Sequence, residues 1–530
     1  MHTALMHRRL LATPIRPLDI FLLACCLAAA FVCYQPSVPK DAYGYDESDY
    51  MFAASRGFVA NYFDQGVVPF NEFVRKGIAC LSGRESAAEL SQFIRASEDI
   101  SFYRHYHGPL YFYGLSVARP LLGDNEHAVR ATSLVWFLAS VAVVYIGSFF
   151  LISRHARLVA IIAGMLLLTS NANISTAVIV TPHNAYLLVS TVTLFLIGKL
   201  LETRDIRFAY AASAALALSF LSIEYAPLLA VTFLICIFVA RKDLFANDTF
   251  RGVLRHAWTA VMFFLGTLCL VWPGGVFRLT LVKNYAFFVY YAMFRADTYG
   301  ENSPWELWSS RVQESPMTYT VFLISILAGI GLIRRRPALL PFFLYAAFIL
   351  IATMRIASFR PSYISSLFPA LALISGIVVS ERLDDSTGET RHWWWLRPVV
   401  AGVLSVALVL QATVQVVLPS LSTDRDRSLA QVVDFVRQLG TREGEFLVDQ
   451  RVVPTLHYYV PSAAFTSFSD DRTSWDELVD NLDETQCRGI LYAGREHDDL
   501  MDTLAATHEV SPCRLTDSIV YYEMSQRKPK

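Results

Sequence analysis

The apolar residues of this chain come in long runs almost free of charge, and this limits its fold more than anything else. The first run, "IFLLACCLAAAFVCY", covers residues 20–34. Eleven segments of roughly 16 to 24 residues follow the same pattern: 18–34, 128–151, 156–170, 183–201, 207–222, 225–240, 257–273, 317–333, 338–354, 363–380 and 398–418. A helix rises about 1.5 Å per residue, so runs of this length match a hydrocarbon core about 30 Å thick. Only 17% of the 530 residues are charged, against about a quarter in soluble chains. The expectation is a polytopic α-helical membrane protein with about eleven transmembrane helices.

Basic residues orient it. Arg8, Arg9 and Arg16 precede the first segment, and Arg154 with Arg157, Lys199 to Arg207, Arg241 to Arg255, Arg334 to Arg336, and Arg382 to Arg397 fall in every second connection. By the positive-inside rule these connections and the N-terminus face the cytoplasm. The N-terminal stretch reads as an uncleaved signal anchor, because no small-residue cleavage site follows it. Residues 1–418 then form a membrane domain with two long outer loops, 35–127 and 274–316, and the tail 419–530 lies on the same outer side. The tail holds 12 Lys/Arg and 20 Asp/Glu. It alternates helical and strand patterns ("SLAQVVDFVRQL", "EFLVDQ", "SWDELVDNL", "RGILYAG", "DDLMDTLAATH", "IVYYEM"), which predicts a small extracytoplasmic α/β domain. A net charge of −1 gives no footprint for nucleic acid. Cys487 and Cys513 share the polar tail, where a disulfide and two unpaired thiols are both open readings.

Three outer-face stretches carry the chemistry. "DAYGYDESDYMF" (41–52) sets Asp41, Asp46, Glu47 and Asp49 directly after the first apolar run. "FYRHYHGPLYFYG" (102–114) combines Arg104, His105 and His107 with tyrosines and phenylalanines beside a Gly-Pro. "ASFRPSYISSLFPALALISG" (357–376) brings Arg360 and Tyr363 to a membrane edge. A carboxylate can take the proton of an attacking hydroxyl. Arg and His can hold a phosphate and its growing charge. Together they suit a sugar-bearing, phosphate-bearing substrate presented from the lipid phase. The rival readings are a snorkelling interfacial arginine at 360, aromatic-belt tyrosines, and solvated acids at 41 and 49.

At these residues the sequence resembles the GT-C superfamily of integral-membrane glycosyltransferases, in the branch of protein O-mannosyltransferases and lipid A aminoarabinose transferases. The resemblance rests on "YDESDYMFAA" (45–54), "HGPLYFYGLSVARPLLGDNEHAVR" (107–130) and "FRPSYISSLFPALAL", taken in order. It implies Asp46 as catalytic base and Glu47 as its support, with His105, His107, Arg360 and Tyr363 at the donor phosphate and sugar. It also implies a polyprenyl-phosphate sugar donor, an inverting transfer, and a glycolipid, glycan or protein acceptor on the extracytoplasmic face of a bacterial inner (plasma) membrane. Two positions depart from the pattern. His183 and Asn184 in "IVTPHNAYLL" (179–188) stand where relatives carry an acid, and Glu224 in "LSIEYAP" (221–227) replaces a lysine, so these three form a possible second site. Some relatives use a divalent metal and others do not, and no Cys/His cluster chooses between them. A lipid-linked-sugar transporter and a non-catalytic scaffold are the alternatives; repeated halves and facing broken helices, which a transporter would show, are not found in the sequence.

Overall fold

A computed structural model describes residues 11–63, 68–84, 107–123, 125–246, 248–294, 304–354, 361–385 and 396–418. In the C-terminal part it describes 428–439, 446–449, 451–461, 465–468, 487, 489–493, 502, 504–506, 508–515 and 519–527. Each of the eleven apolar segments lies on helix. By length and composition, four helices among the described residues can cross a membrane: Pro17–Ser37, Glu126–Leu151, His183–Thr203 and Phe250–Val271. The number is six if two bent pairs, broken after Leu168 and after Glu314, each count as one span. The difference from eleven has a physical reason: Pro337–Thr353, Phe368–Glu381 and Gly402–Gln415 are apolar but short, Arg207–Phe220 has only 14 residues, and Ala226–Leu244 carries Arg241, Lys242 and Asp243 near its end.

The first helix, α1 (Pro17–Tyr34), begins with proline at its first position, where the ring is tolerated. The Arg16 backbone N–H donates to Asp19 Oδ2 at 2.8 Å. Asp19 is buried and accepts from Arg157 Nε at 2.8 Å, which pins α1 to the helix Ala156–Leu168. On its other side α1 leaves Leu18, Phe21 and Val32 exposed, and Phe250–Val271 likewise exposes Phe250, Trp258 and Leu270. Apolar faces of this kind suit lipid, and helices satisfy their backbone polar groups there without water. The main core is built from Glu126–Leu151, Ala156–Leu168, His183–Thr203, Leu340–Thr353 and Phe368–Asp385.

Between α1 and Glu126–Leu151 lie α2 (Tyr45–Ser55), α3 (Gly57–Phe63), α4 (Phe70–Leu81) and the helix Leu110–Leu122. After residue 428 the chain builds a five-stranded sheet in the order β2-β1-β3-β5-β4. The strands are β1 (Phe446–Asp449), β2 (Thr466–Phe468), β3 (Gly489–Tyr492), β4 (His508–Arg514) and β5 (Val520–Arg527). β1 pairs in parallel with β2 and β3, while β5 runs antiparallel to β3 and β4. Every residue of β1 and β3 is buried, as expected of strands covered on both faces. The helices Ser428–Leu439 and Val453–Tyr459 pack on this sheet through Val432, Val436 and Leu456. Cys487 and Cys513 are both free thiols.

Candidate active site

The acids that follow α1 have separate fates. Asp41 accepts from the backbone N–H groups of Leu429 (3.2 Å) and Ala430 (3.0 Å), capping the helix Ser428–Leu439. Asp49 is buried. Asp46 and Glu47 occupy the first turn of α2, where the exposed N–H groups of a helix start favour negative charge.

Glu47 is fully engaged in holding the loop. Arg130, 1% exposed, donates Nε to its Oε1 at 2.9 Å and Nη2 to its Oε2 at 2.6 Å. The other Arg130 hydrogen bonds go to the carbonyls of Pro39 (3.1 Å), Asp41 (2.7 Å) and Ala42 (3.1 Å). All five guanidinium N–H groups therefore have acceptors. Glu47 also accepts from the N–H of Gly44 (3.3 Å) and of Val180 (2.9 Å). One residue earlier, Asp46 is half-buried.

A second cluster sits behind α2. Leu110 N–H donates to the Leu221 carbonyl at 3.0 Å. Gly108 lies so close to that turn that a Cβ would fall 2.3 Å from Leu221 C and O. Only glycine permits the approach, and it carries His107 to Glu224. His107 Nδ1 and Glu224 Oε2 are 2.8 Å apart, and both residues are buried. With the carboxylate as acceptor, Nδ1 carries a proton. His107 Nε2 lies 3.2 Å from the Tyr50 hydroxyl and, on a neutral ring, accepts from it. Burial pushes the Tyr50 phenol well above its ordinary pKa, so it stays a donor. Tyr50 stands four residues after Asp46 on α2, one helical turn along the same face.

His183 and Tyr363 join this region: their rings are 5.6 Å apart, and Tyr225 lies 6.0 Å from His183. Asn184 turns away, its Nδ2 donating to the Thr176 carbonyl at 3.0 Å. His105 and Arg360 lie outside the described residues. The structure thus gathers His107, Glu224, His183 and Tyr363 in one region, with Asp46 a turn away along α2. Sequence reasoning gave no role to Tyr50 or Arg130. Tyr50 was one tyrosine among many, although its spacing of four from Asp46 was a usable signal. Among the described residues no group of three or more His, Cys, Asp or Glu is placed to hold a metal ion.

The family model of dolichyl-phosphate-mannose-protein mannosyltransferases matches residues 106–272. That stretch contains His107, His183, Asn184 and Glu224, while Asp46, Glu47 and Tyr363 lie outside it. No curated protein matches the sequence. Among solved structures, the fold is similar to ArnT from Cupriavidus metallidurans bound to undecaprenyl phosphate, with 14% identity, a TM-score of 0.57, and 95% of this chain and 97% of that one covered. The chain shares this fold. The archaeal oligosaccharyltransferase AglB from Archaeoglobus fulgidus, in complex with an inhibitory peptide and a dolichol-phosphate, is similar at 10% identity and a TM-score of 0.53, over 96% of this chain and 75% of that one. The arabinofuranosyltransferase AftD from Mycobacteria is similar at 12% identity and a TM-score of 0.53, over 98% of this chain but 40% of its own length. With its long apolar helices, the chain is an integral membrane protein.

Proposed function

We propose that the protein transfers a sugar from a polyprenyl-phosphate donor to an acceptor hydroxyl on the extracytoplasmic face. The observation that carries this reading is the placement of Asp46. It stands half-buried in the first turn of α2, one turn before the Tyr50–His107–Glu224 chain. Asp46 takes the proton of the acceptor hydroxyl. The freed oxygen attacks the anomeric carbon as the bond from that carbon to the phosphate oxygen breaks. The configuration inverts, and the electron pair leaves on polyprenyl phosphate. The Tyr50 O–H, otherwise given to His107 Nε2, is the donor this chain offers to the phosphate, with Glu224 fixing the imidazole ring. Tyr363 and His183 offer ring faces and polar edges to the sugar. Arg360 and His105 belong to the same donor group by their place in the sequence. Glu47 serves the base by fixing the turn that carries it. Support also comes from the GT-C fold and from a structural relative bound to undecaprenyl phosphate.

The test is purified protein in lipid, offered a panel of polyprenyl-phosphate sugars with cell-envelope extracts as acceptors. Release of free polyprenyl phosphate from one donor is the expected result and identifies the sugar. No release from any donor, by protein that still binds them, would overturn the reading.

A further inference from the structure

The turn that presents Asp46 is clasped by the C-terminal part of the chain. Tyr43, three residues before Asp46, uses both backbone polar groups on the helix Val453–Tyr459. Its N–H donates to the Tyr459 hydroxyl at 3.0 Å, and its carbonyl accepts from Thr455 Oγ1 at 3.0 Å. The same carbonyl accepts from Ser48 Oγ at 2.7 Å, which ties the clasp to α2 itself. The Tyr459 hydroxyl donates a hydrogen bond to Glu126 Oε1 at 2.9 Å, so it accepts from the turn and donates to the membrane helix Glu126–Leu151. The Tyr43 ring stacks on Tyr459 at 6.1 Å and meets the edge of Tyr458 at 5.7 Å. Arg130 lies over its face at 4.8 Å. Burial raises the pKa of both the Tyr43 and the Tyr459 phenol, so the Tyr459 hydroxyl keeps its proton across the working range.

Packing alone would need only the rings. Two hydroxyls aimed at the two backbone groups of one residue fix that residue's peptide orientation, and α2 starts two residues later. We propose that Tyr459 and Thr455 are positioning residues for the transfer, holding the N-terminal turn of α2 so that the Asp46 carboxylate keeps its aim at the acceptor. The inference rests on the reading of Asp46 as base. It assigns the C-terminal part a share in turnover beyond shape or acceptor binding. Base catalysis is sensitive to misplacement of about an ångström, so loosening this turn lowers the catalytic step and leaves donor binding alone.

The experiment compares the full-length protein with Tyr459→Phe, which keeps the ring and removes the hydroxyl, with Thr455→Val, and with Cys513→Ser as a control on exposed β4. Amide hydrogen exchange over residues 41–48 is measured beside kcat and the donor KM. Removing one such neutral hydrogen bond is expected to speed exchange of this turn by about 3- to 10-fold. It is expected to lower kcat by a similar factor, with KM and the control unchanged. Unchanged exchange over 41–48, or faster exchange with an unchanged kcat, would overturn the inference while leaving sugar transfer standing. A wild type inactive on every donor would instead fell the sugar-transfer reading, and this inference with it, whatever the exchange result. Should Tyr459→Phe fail to fold, Thr455→Val, which loses a single O–H, carries the same test.

Discussion

Two acid–base pairs hold the stretch between α1 and Glu126–Leu151, one near each end, and they are built differently. At the start, Arg130 and Glu47 form a bidentate pair, and the guanidinium fills its remaining donors with three loop carbonyls. At the end, His107 and Glu224 meet through one contact, and the other imidazole nitrogen faces a tyrosine hydroxyl. An arginine never gives up its proton at ordinary pH, so the first pair is a fixed strut. An imidazole nitrogen can donate or accept, and a phenol beside it can turn its O–H to a ligand. One pair is suited to holding a backbone and the other to handling a substrate. The identity of the donors separates them.

The contrast breaks most sharply at Arg130. Arg130→Ala leaves Glu47 and three carbonyls without their donors, and breaking a buried pair costs about 3–5 kcal/mol. The variant is expected to lose most of its folded population in detergent, read as a large drop in the unfolding temperature. A variant with wild-type stability would mean that the strut is dispensable. Next comes Gly108→Ala, whose Cβ must displace the Leu221 backbone from 2.3 Å. Overpacking of this kind costs about 1–3 kcal/mol, and moving His107 from Glu224 should lower turnover as well as stability. Glu224→Gln sharpens the comparison, because it keeps size and hydrogen bonding but not charge. The expected loss is about 10-fold in kcat/KM, or about 1.4 kcal/mol, with the unfolding temperature nearly unchanged. A stability loss without an activity loss would make this pair a second strut. Smallest is Asp41→Ala, which removes the cap of the helix Ser428–Leu439 and is expected to cost about 1 kcal/mol of stability.

How much of this was legible in the sequence depended on how local the cause was. The apolar segments announced their helices because membrane burial needs a continuous run of side chains. The patterns of "SLAQVVDFVRQL", "EFLVDQ", "RGILYAG" and "IVYYEM" predicted elements that are present at Ser428–Leu439, β1, β3 and β5. The helix Val453–Tyr459 and strands β2 and β4 were not read. The helix is seven residues long and opens on Val-Pro, too short for a helical period to emerge. "SWDELVDNL" falls outside the described residues. In the site, the acidic exit and the His-Gly-Pro stretch were visible as clusters of chemistry. The partners were not, because Glu47 meets an arginine 83 residues away and His107 meets a glutamate 117 residues away. In one dimension Glu224 was legible only as a departure from the resemblance, at a possible second site. In three it supplies the acceptor for His107.

The account turns on which of two adjacent carboxylates does the chemistry, and one assay separates them. Release of polyprenyl phosphate from the active donor would be measured for Asp46→Asn and Glu47→Gln, each checked for folding by its unfolding temperature. The account predicts that Asp46→Asn folds like the wild type yet loses about 10²- to 10⁴-fold in kcat, the range of a missing general base. It predicts that Glu47→Gln is mainly destabilised, its folded fraction retaining far more activity. A well-folded Asp46→Asn that turns over donor at the wild-type rate would contradict it.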